Sequence, residues 1–290
     1  MGRGTPSWVD TREYPFAPRY FDVPAGRMHY IDEGTGAPIV FVHGNPAWSF
    51  EFRHQIRSLS SGHRCIAADH LGFGLSDKPF GFSYLPAEHA ANLELLLKSL
   101  DLSDVTLVVQ DWGGPIGLSY ALNHPDLVRN LAISNTWMWS VSRNLLFRLF
   151  SAVMGGPIGR YRIRTSNYFV RSAMPGAYGD RSKLTPAIHA QYLNALPTPE
   201  DRKGCWVFPR EIIHSSKWLS SLWGQRDRIV QKRVLLSWGM KDVGFGKSVL
   251  QRWTRLFPQA SVVCYPGVGH WLAEERPDEF TDAIRNFVDS

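Results

Sequence analysis

The stretch that decides the fold covers residues 105–114 and reads VTLVVQDWGG. Its first five residues are apolar or β-branched, which is typical of a strand buried on both faces of a parallel sheet. Gln110, Asp111 and Trp112 then lead into two glycines, whose small size allows a sharp turn from strand into helix. Such a turn exposes the side chain at its tip and directs the following backbone N–H groups toward the same point. Asp111 occupies the tip, where a carboxylate can act as a nucleophile that forms an ester.

Other strand-like runs alternate with helix-length segments along the chain, which indicates a mostly parallel sheet flanked by helices. The predicted strands are 20–23, 27–32, 38–42, 64–68, 105–109, 128–134, 234–238 and 260–265. The predicted helices are 51–60, 86–99, 114–123, 247–256 and 277–288. The first two strands are separated only by residues 24–26, so we expect them to form a hairpin.

About 100 residues separate the sixth strand from the seventh, far more than one crossover connection requires. This insertion is rich in aromatic residues, arginine and proline and has little strand-like alternation. We therefore predict a helical cap, residues 137–214, over a core domain of residues 1–136 and 215–290.

The composition is that of an ordinary globular chain, with 290 residues, 44% hydrophobic and 20% charged. The apolar stretch at 145–158 is interrupted by Arg148 and is shorter than the roughly 20 residues that cross a bilayer, so we expect no membrane span. The first residues lack the apolar run of a secretory signal, which favours the cytoplasm. Cys65, Cys205 and Cys264 are an odd number without a CxxC pair, and we expect three buried free thiols.

The net charge of +6 comes from one segment, since residues 140–235 hold 16 Lys and Arg against 5 Asp and Glu. No basic cluster in this segment is interleaved with a nucleic-acid-binding motif, so we expect a solvated cationic surface and no nucleic-acid partner. The sequence leaves open whether this cationic surface attracts anions.

Ionisable side chains follow three of the predicted strands, and in an open α/β sheet ligands bind beyond the carboxyl ends of the strands. Asp111 follows the fifth strand, Asp242 the seventh and His270 the eighth. Each has a structural alternative, such as a helix N-cap for Asp111 or a turn for Asp242. Their chain order, however, is that of nucleophile, acid and base in folds built around this turn. The three residues are therefore the candidate catalytic triad.

Five motifs carry a family resemblance: FVHGNPAWSF at 41–50, ADHLGFGLSDKP at 68–79, VVQDWGGPIG at 108–117, WGMKD at 238–242 and GVGHWLAEERPDEF at 267–280. With them the chain resembles the haloalkane dehalogenases of the α/β-hydrolase superfamily over nearly its whole length. The resemblance implies hydrolysis of a haloalkane to a primary alcohol, halide and a proton through an ester on Asp111, without a metal or an organic cofactor. It also implies that His270 and Asp242 activate water and that Asn45 and Trp112 hold the halide.

These residue types suit the chemistry. Indole and carboxamide N–H groups can bind a halide without a competing full positive charge. The backbone N–H groups of Asn45 and Trp112 are expected to stabilise the oxyanion on Asp111. Residues 134–137 at the exit of the sixth strand contain no carboxylate. Because the family that the chain resembles places the acid after either the sixth or the seventh strand, the resemblance implies that the acid is Asp242. The chain is most similar to the subgroup with an Asp-His-Asp triad and an Asn-Trp halide pair.

Aromatic residues near the cap could line the pocket or only pack: Trp137, Trp139, Phe147, Phe150, Trp206 and Phe245. The expected partners are a small halogenated hydrocarbon, water and halide, and the sequence is compatible with a homo-oligomer. An epoxide hydrolase is the nearest alternative, because it shares the Asp nucleophile and uses two cap tyrosines, of which this cap offers several. Asn45 weighs against it, since similar epoxide hydrolases carry an apolar residue there. A catalytically silent receptor or scaffold is a further alternative.

Overall fold

The structure is a computed structural model, and it describes residues 4–290. One eight-stranded sheet forms the centre, with the strand order β1-β2-β4-β3-β5-β6-β7-β8. The strands are β1 (Arg19–Val23), β2 (Gly26–Glu33), β3 (Pro38–Val42), β4 (Arg64–Ala68), β5 (Val105–Gln110), β6 (Val128–Ser134), β7 (Arg233–Gly239) and β8 (Ser261–Tyr265). β2 runs antiparallel to β1 and β4, and all other neighbours are parallel. The predicted hairpin and mostly parallel sheet are confirmed.

Helices cover both the sheet and its carboxyl edge. They are α1 (Arg53–Leu59), α2 (Pro86–Ser99), α3 (Gly113–Asn123), α4 (Leu145–Met154), α5 (Pro157–Ser166), α6 (Met174–Gly176), α7 (Pro186–Asn194), α8 (Lys203–His214), α9 (Ser216–Gly224), α10 (Lys247–Leu256), α11 (Leu272–Glu275) and α12 (Pro277–Val288). The helix expected at 51–60 is instead a 3-10 turn, Ser49–Phe52, followed by α1. All four residues of that turn are buried, so their pattern does not follow the one-sided burial of a surface helix.

The core lies in the middle of the sheet. Every residue of β3 and of β5 is buried, as the continuous apolar runs predict for strands covered on both faces. Helices α4 to α9 all lie between β6 and β7, so the insertion is helical as expected. Within it, α4 and α5 both pack on α8. The cap boundaries at residues 137 and 214 stay a prediction.

The expectation of three buried thiols is wrong at Cys264. Cys65 and Cys205 are buried, but Cys264 is exposed. It lies on β8, which is an edge strand and leaves four of its five residues incompletely buried. An apolar run on an edge strand therefore does not imply burial on both faces. Within residues 4–290, no helix has both the length and the apolar character that crossing a bilayer requires.

Candidate active site

The turn after β5 presents Asp111 to the carboxyl edge of the sheet. Asp111 has a φ of 49°, a left-handed conformation that is uncommon for residues other than glycine. α3 begins two residues later at Gly113, where an added Cβ would clash with the carbonyl oxygen of Val42. Only glycine therefore lets the first turn of α3 approach β3 so closely, and this approach fixes the direction in which Asp111 points.

Two backbone N–H groups bind the Asp111 carboxylate. The N–H of Asn45 donates to Oδ1 at 2.8 Å, and the N–H of Trp112 also hydrogen-bonds to this carboxylate. Burial raises the pKa of Asp111, while the positive charge of His270 and these two hydrogen bonds partly offset that effect. The structure thus brings together the residues expected to form an oxyanion site.

His270 lies between the two carboxylates of the candidate triad. Its Nδ1 is 2.7 Å from Asp242 Oδ2, and its Nε2 is 3.8 Å from Asp111 Oδ2. Burial opposes a charge on His270, but the attraction and hydrogen bond of Asp242, together with the charge of Asp111, raise its pKa to about 9. The imidazole is therefore held in one orientation, with Nε2 on the side of Asp111.

Asp242 is itself held by three donors. Its Oδ1 accepts from the backbone N–H groups of Gly244 at 2.8 Å and Phe245 at 3.0 Å, and its Oδ2 accepts from Asn135 Nδ2 at 3.0 Å. Burial opposes ionisation, but His270 and the backbone donors outweigh it, so the pKa of Asp242 lies below its usual value. Asn135 also bridges to both backbone groups of Gly239, so it ties the ends of β6 and β7 together. Sequence reasoning treated residue 135 only as a position without a carboxylate.

The two candidate halide donors are buried and unused. Asn45 and Trp112 are 7% and 2% exposed. Neither the indole N–H of Trp112 nor the side-chain amide of Asn45 hydrogen-bonds to another residue in the described range 4–290, and Asn45 Oδ1 is a buried atom without a partner. The Trp112 ring lies between Trp137, at 4.7 Å between ring centroids, and Phe208, at 5.2 Å. Packing therefore holds the Trp112 ring in place at the residue directly after Asp111.

Only some of the candidate pocket aromatics reach this site. Phe245 stacks on Trp137 at 5.0 Å and lies 5.7 Å from the His270 ring, and Phe147 of α4 lies 6.2 Å from Phe245. The structure places three others elsewhere. Trp139 packs on Trp223 and Trp253, Phe150 is 41% exposed, and Trp206 lies under the guanidinium of Arg160. Phe208, which stacks on Trp112, was missed because nothing in the local sequence of α8 distinguishes it from a core residue.

Two further polar residues near His270 were also missed. Gln110 Nε2 donates to the His270 carbonyl oxygen at 3.1 Å, and it also lies 2.7 Å from Nε2 of the His270 ring. Its place directly before Asp111 is the signal that could have found it. Glu51 is 1% exposed, its Oε2 has no hydrogen-bond partner among residues 4–290, and burial raises its pKa to about 8. Glu51 lies between two phenylalanines, and its sequence position gives no sign that its carboxyl is buried.

Comparison with known proteins identifies the fold and the family of the chain. A family model described as the alpha/beta hydrolase fold matches residues 37–168. Haloalkane dehalogenase 2 of Mycobacterium tuberculosis is 39% identical over 95% of this chain and 96% of its own length. A cis-3-alkyl-4-alkyloxetan-2-one decarboxylase of Shewanella oneidensis is 31% identical over 94% of this chain and 89% of its own. The crystal structure of the haloalkane dehalogenase DatA from Agrobacterium tumefaciens superposes with a TM-score of 0.82, at 27% identity over 94% of this chain and 96% of that one.

The sheet order and the turn after β5 define an α/β-hydrolase, in which Asp111 occupies the tip of that turn. Within that class, the chain belongs to the haloalkane dehalogenase family. The resemblance found in the sequence motifs is thereby confirmed at the level of the family.

Proposed function

We propose that the protein hydrolyses haloalkanes to an alcohol, halide and a proton through an alkyl ester on Asp111. One observation carries the proposal: the Asp111 carboxylate lies 3.8 Å from His270 Nε2 and accepts the backbone N–H of Asn45, and the buried residues Asn45 and Trp112 have side-chain N–H groups that bond to no other residue within 4–290. A site of this kind offers a nucleophile, a base and a receptor for a departing anion. Family membership supports dehalogenation as the overall reaction.

In the first step, an oxygen of Asp111 attacks the carbon that carries the halogen. A carbon–oxygen bond forms, and the carbon–halogen bond breaks with its electron pair going to the halide. The N–H groups of Trp112 and Asn45 then stabilise the leaving halide. These donors bind the transition state more strongly than the bound substrate, because the negative charge on the halogen develops only as the carbon–halogen bond breaks.

In the second step, water attacks the ester carbonyl carbon of Asp111. His270 Nε2 accepts the proton of the water, and Asp242 stabilises the imidazolium that results. The backbone N–H groups of Asn45 and Trp112 bind the oxyanion, which collapses to release the alcohol and restore the carboxylate. Esterification also removes the negative charge of Asp111, one of the groups that raise the pKa of His270. Alkylation therefore lowers the proton affinity of His270 at the step in which it must be a free base.

The cap tyrosines weigh against an epoxide hydrolase, which needs two free phenol groups beside the nucleophile. Tyr192 donates its hydroxyl to Glu274, and Tyr161 is 69% exposed. Tyr168 lies against the guanidinium of Arg162. Of these four tyrosines, only Tyr178 has a hydroxyl that is both buried and without a partner within residues 4–290. The complete set of Asp111, His270 and Asp242 weighs equally against a catalytically silent receptor.

The test is halide release from bromobutane and iodobutane, compared between the wild type and the Asp111→Asn variant, which has nearly the same shape. Styrene oxide and a cis-3,4-dialkyloxetan-2-one are assayed beside them. We expect halide from the wild type alone and little turnover of the other two compounds. Diol from the epoxide without halide would support the epoxide hydrolase. Consumption of the oxetanone without halide would support the activity for which the Shewanella oneidensis decarboxylase is named.

From the sequence alone, we also propose that the protein is cytoplasmic, that it can form a homo-oligomer and that it has no nucleic-acid partner. The Asp-His-Asp subgroup assignment likewise rests on the position of Asp242 after β7.

A further inference from the structure

The outer face of the cap is apolar where a surface helix is normally polar. Helix α4 exposes five large apolar side chains that recur along one stripe, and α5 adds two more. We call this surface the cap face; its residues are Leu145, Leu146, Leu149, Phe150, Val153, Ile158 and Tyr161, each between 41% and 74% exposed. The opposite side of α4 holds the buried Ser151, which donates to the Arg210 carbonyl oxygen. Exposed apolar groups thus cluster on the solvent side, and such patches mark interaction sites.

The charges around the cap face are all positive along this stretch of chain. Residues 140–179 contain six arginines and no Asp or Glu. Arg143 and Arg148 flank the apolar stripe of α4 and are exposed. Arg160 lies over Trp206 and Arg162 over Tyr168, so aromatic rings hold both guanidinium groups near the surface. An apolar stripe bordered by arginines is the pattern of helices that lie in the headgroup region of anionic membranes.

A basic groove adjoins the cap face and has a volume of about 650 Å³. Arg160, Arg164 and Arg210 line it together with Trp206. Its one carboxylate, Glu200, is paired with Arg164 at 3.4 Å, and Arg210 is paired with Glu211 at 2.8 Å, so Arg160 is the lining guanidinium without an ion pair within residues 4–290. Guanidinium groups bind phosphate oxygens through paired hydrogen bonds, so the groove is suited to a phosphate headgroup. Apolar and phosphate-binding features therefore lie side by side on one surface of the cap.

We propose that the cap face docks on the surface of an anionic phospholipid bilayer, with its apolar side chains among the upper acyl chains and the arginines of the cap on lipid phosphates. A second copy of this chain fits less well. A two-fold contact would place the cap face against itself and bring the exposed Arg143 and Arg148 of both copies together. An anionic bilayer instead offers negatively charged headgroups to the arginines and, beneath them, an apolar acyl layer to the apolar side chains.

Docking in this orientation would place the active site one helix away from the lipid. Phe147, on the inner side of α4, lies 6.2 Å from Phe245, which lies 5.7 Å from His270. Apolar haloalkanes concentrate in bilayers, so a docked cap would face the phase richest in substrate. This advantage rests on the proposed dehalogenation, but docking itself does not, because it is measured without substrate.

The experiment measures co-sedimentation of the full chain with vesicles. One set contains phosphatidylcholine alone, and the other an equimolar mixture with phosphatidylglycerol. We expect the wild type to bind the anionic vesicles and to bind less at high salt, which screens surface charges. Leu146→Glu/Leu149→Glu should weaken binding by more than about 100-fold, because it removes two apolar groups and adds repulsion. Arg143→Gln/Arg148→Gln should weaken it roughly 30-fold.

Matched variants separate docking from misfolding or a change in total charge. Leu95→Glu alters an exposed leucine of α2, and Arg129→Gln/Arg255→Gln removes two exposed arginines away from the cap face. Both should bind like the wild type, and all variants should keep their thermal midpoint. Docking is overturned if the wild type stays with the supernatant, or if the control variants lose binding as much as the cap-face variants do. It is also overturned if the cap-face variants only convert an oligomer to a monomer, which would make the cap face a contact between copies.

Discussion

Replacing Glu51 by Gln should stabilise the fold in a manner that depends on pH. The Glu51 carboxyl is 1% exposed, and burial raises its pKa from 4.5 to about 8. Between these two values the unfolded chain releases the proton and the folded chain keeps it, so the folded state loses stability as pH rises. The cost is about 1.4 kcal/mol for each pH unit. Gln has nearly the same shape and no such cost.

The assay is urea unfolding of wild type and Glu51→Gln at a series of pH values. The advantage of the variant should grow by about 2.5 kcal/mol between about pH 5 and about pH 7, and should stop growing above the folded pKa of about 8. The contributions of the other titratable groups cancel in this difference of unfolding free energies, because both proteins contain the same groups.

Glu94→Gln is the matched control, since hydrogen bonds from Lys98 and His124 outweigh desolvation and lower the pKa of Glu94 to about 2. That carboxyl is ionised in both states across this pH range, so the Glu94→Gln difference should not change with pH. A Glu51→Gln difference that is equally flat would refute the claim that Glu51 is protonated in the folded protein.

Three further predictions concern the chemistry. Trp112→Phe keeps the ring between its aromatic neighbours but removes the indole donor, so halide formation should slow about 30-fold, measured as the pre-steady-state halide burst; an unchanged burst would exclude the indole as a halide donor. Ester hydrolysis should accelerate with rising pH, because His270 must be neutral, and its apparent pKa should lie below the value of about 9 that holds while Asp111 is charged; single-turnover alcohol formation gives the profile, and a pH-independent rate would contradict it. Asn135→Ala removes one donor from Asp242, so it should slow hydrolysis several-fold and leave the burst intact, whereas equal losses in both steps would indicate a general disruption.

The fold was predictable because its signals are local. The stretch 105–114 combines an apolar strand, a polar tip and two glycines, and each of these acts within a few residues. The helices starting at Pro86 and Pro277 begin where a proline is tolerated, and their bounds agree with the structure. Edge position is not a local property, which explains why Cys264 was assigned to the interior.

The candidate site was predictable only in part, for the same reason. Asp111, Asp242 and His270 each follow a strand, so the topology of a parallel sheet alone places them at one edge. Phe208 reaches Trp112 from α8, almost a hundred residues along the chain, and no periodicity predicts which cap helix covers the nucleophile. Asn135 was missed because its role depends on β6 and β7 being neighbours in the sheet, which requires the strand order.

The central claim is the ester on Asp111, and intact mass spectrometry of the His270→Phe variant tests it most directly. Without the base, alkylation by iodobutane should proceed while hydrolysis stops, so the protein should gain the mass of one butyl group. Peptide mapping should place that group on Asp111, and the double variant with Asp111→Asn should gain nothing. A His270→Phe protein that releases iodide and remains unmodified would contradict the covalent mechanism.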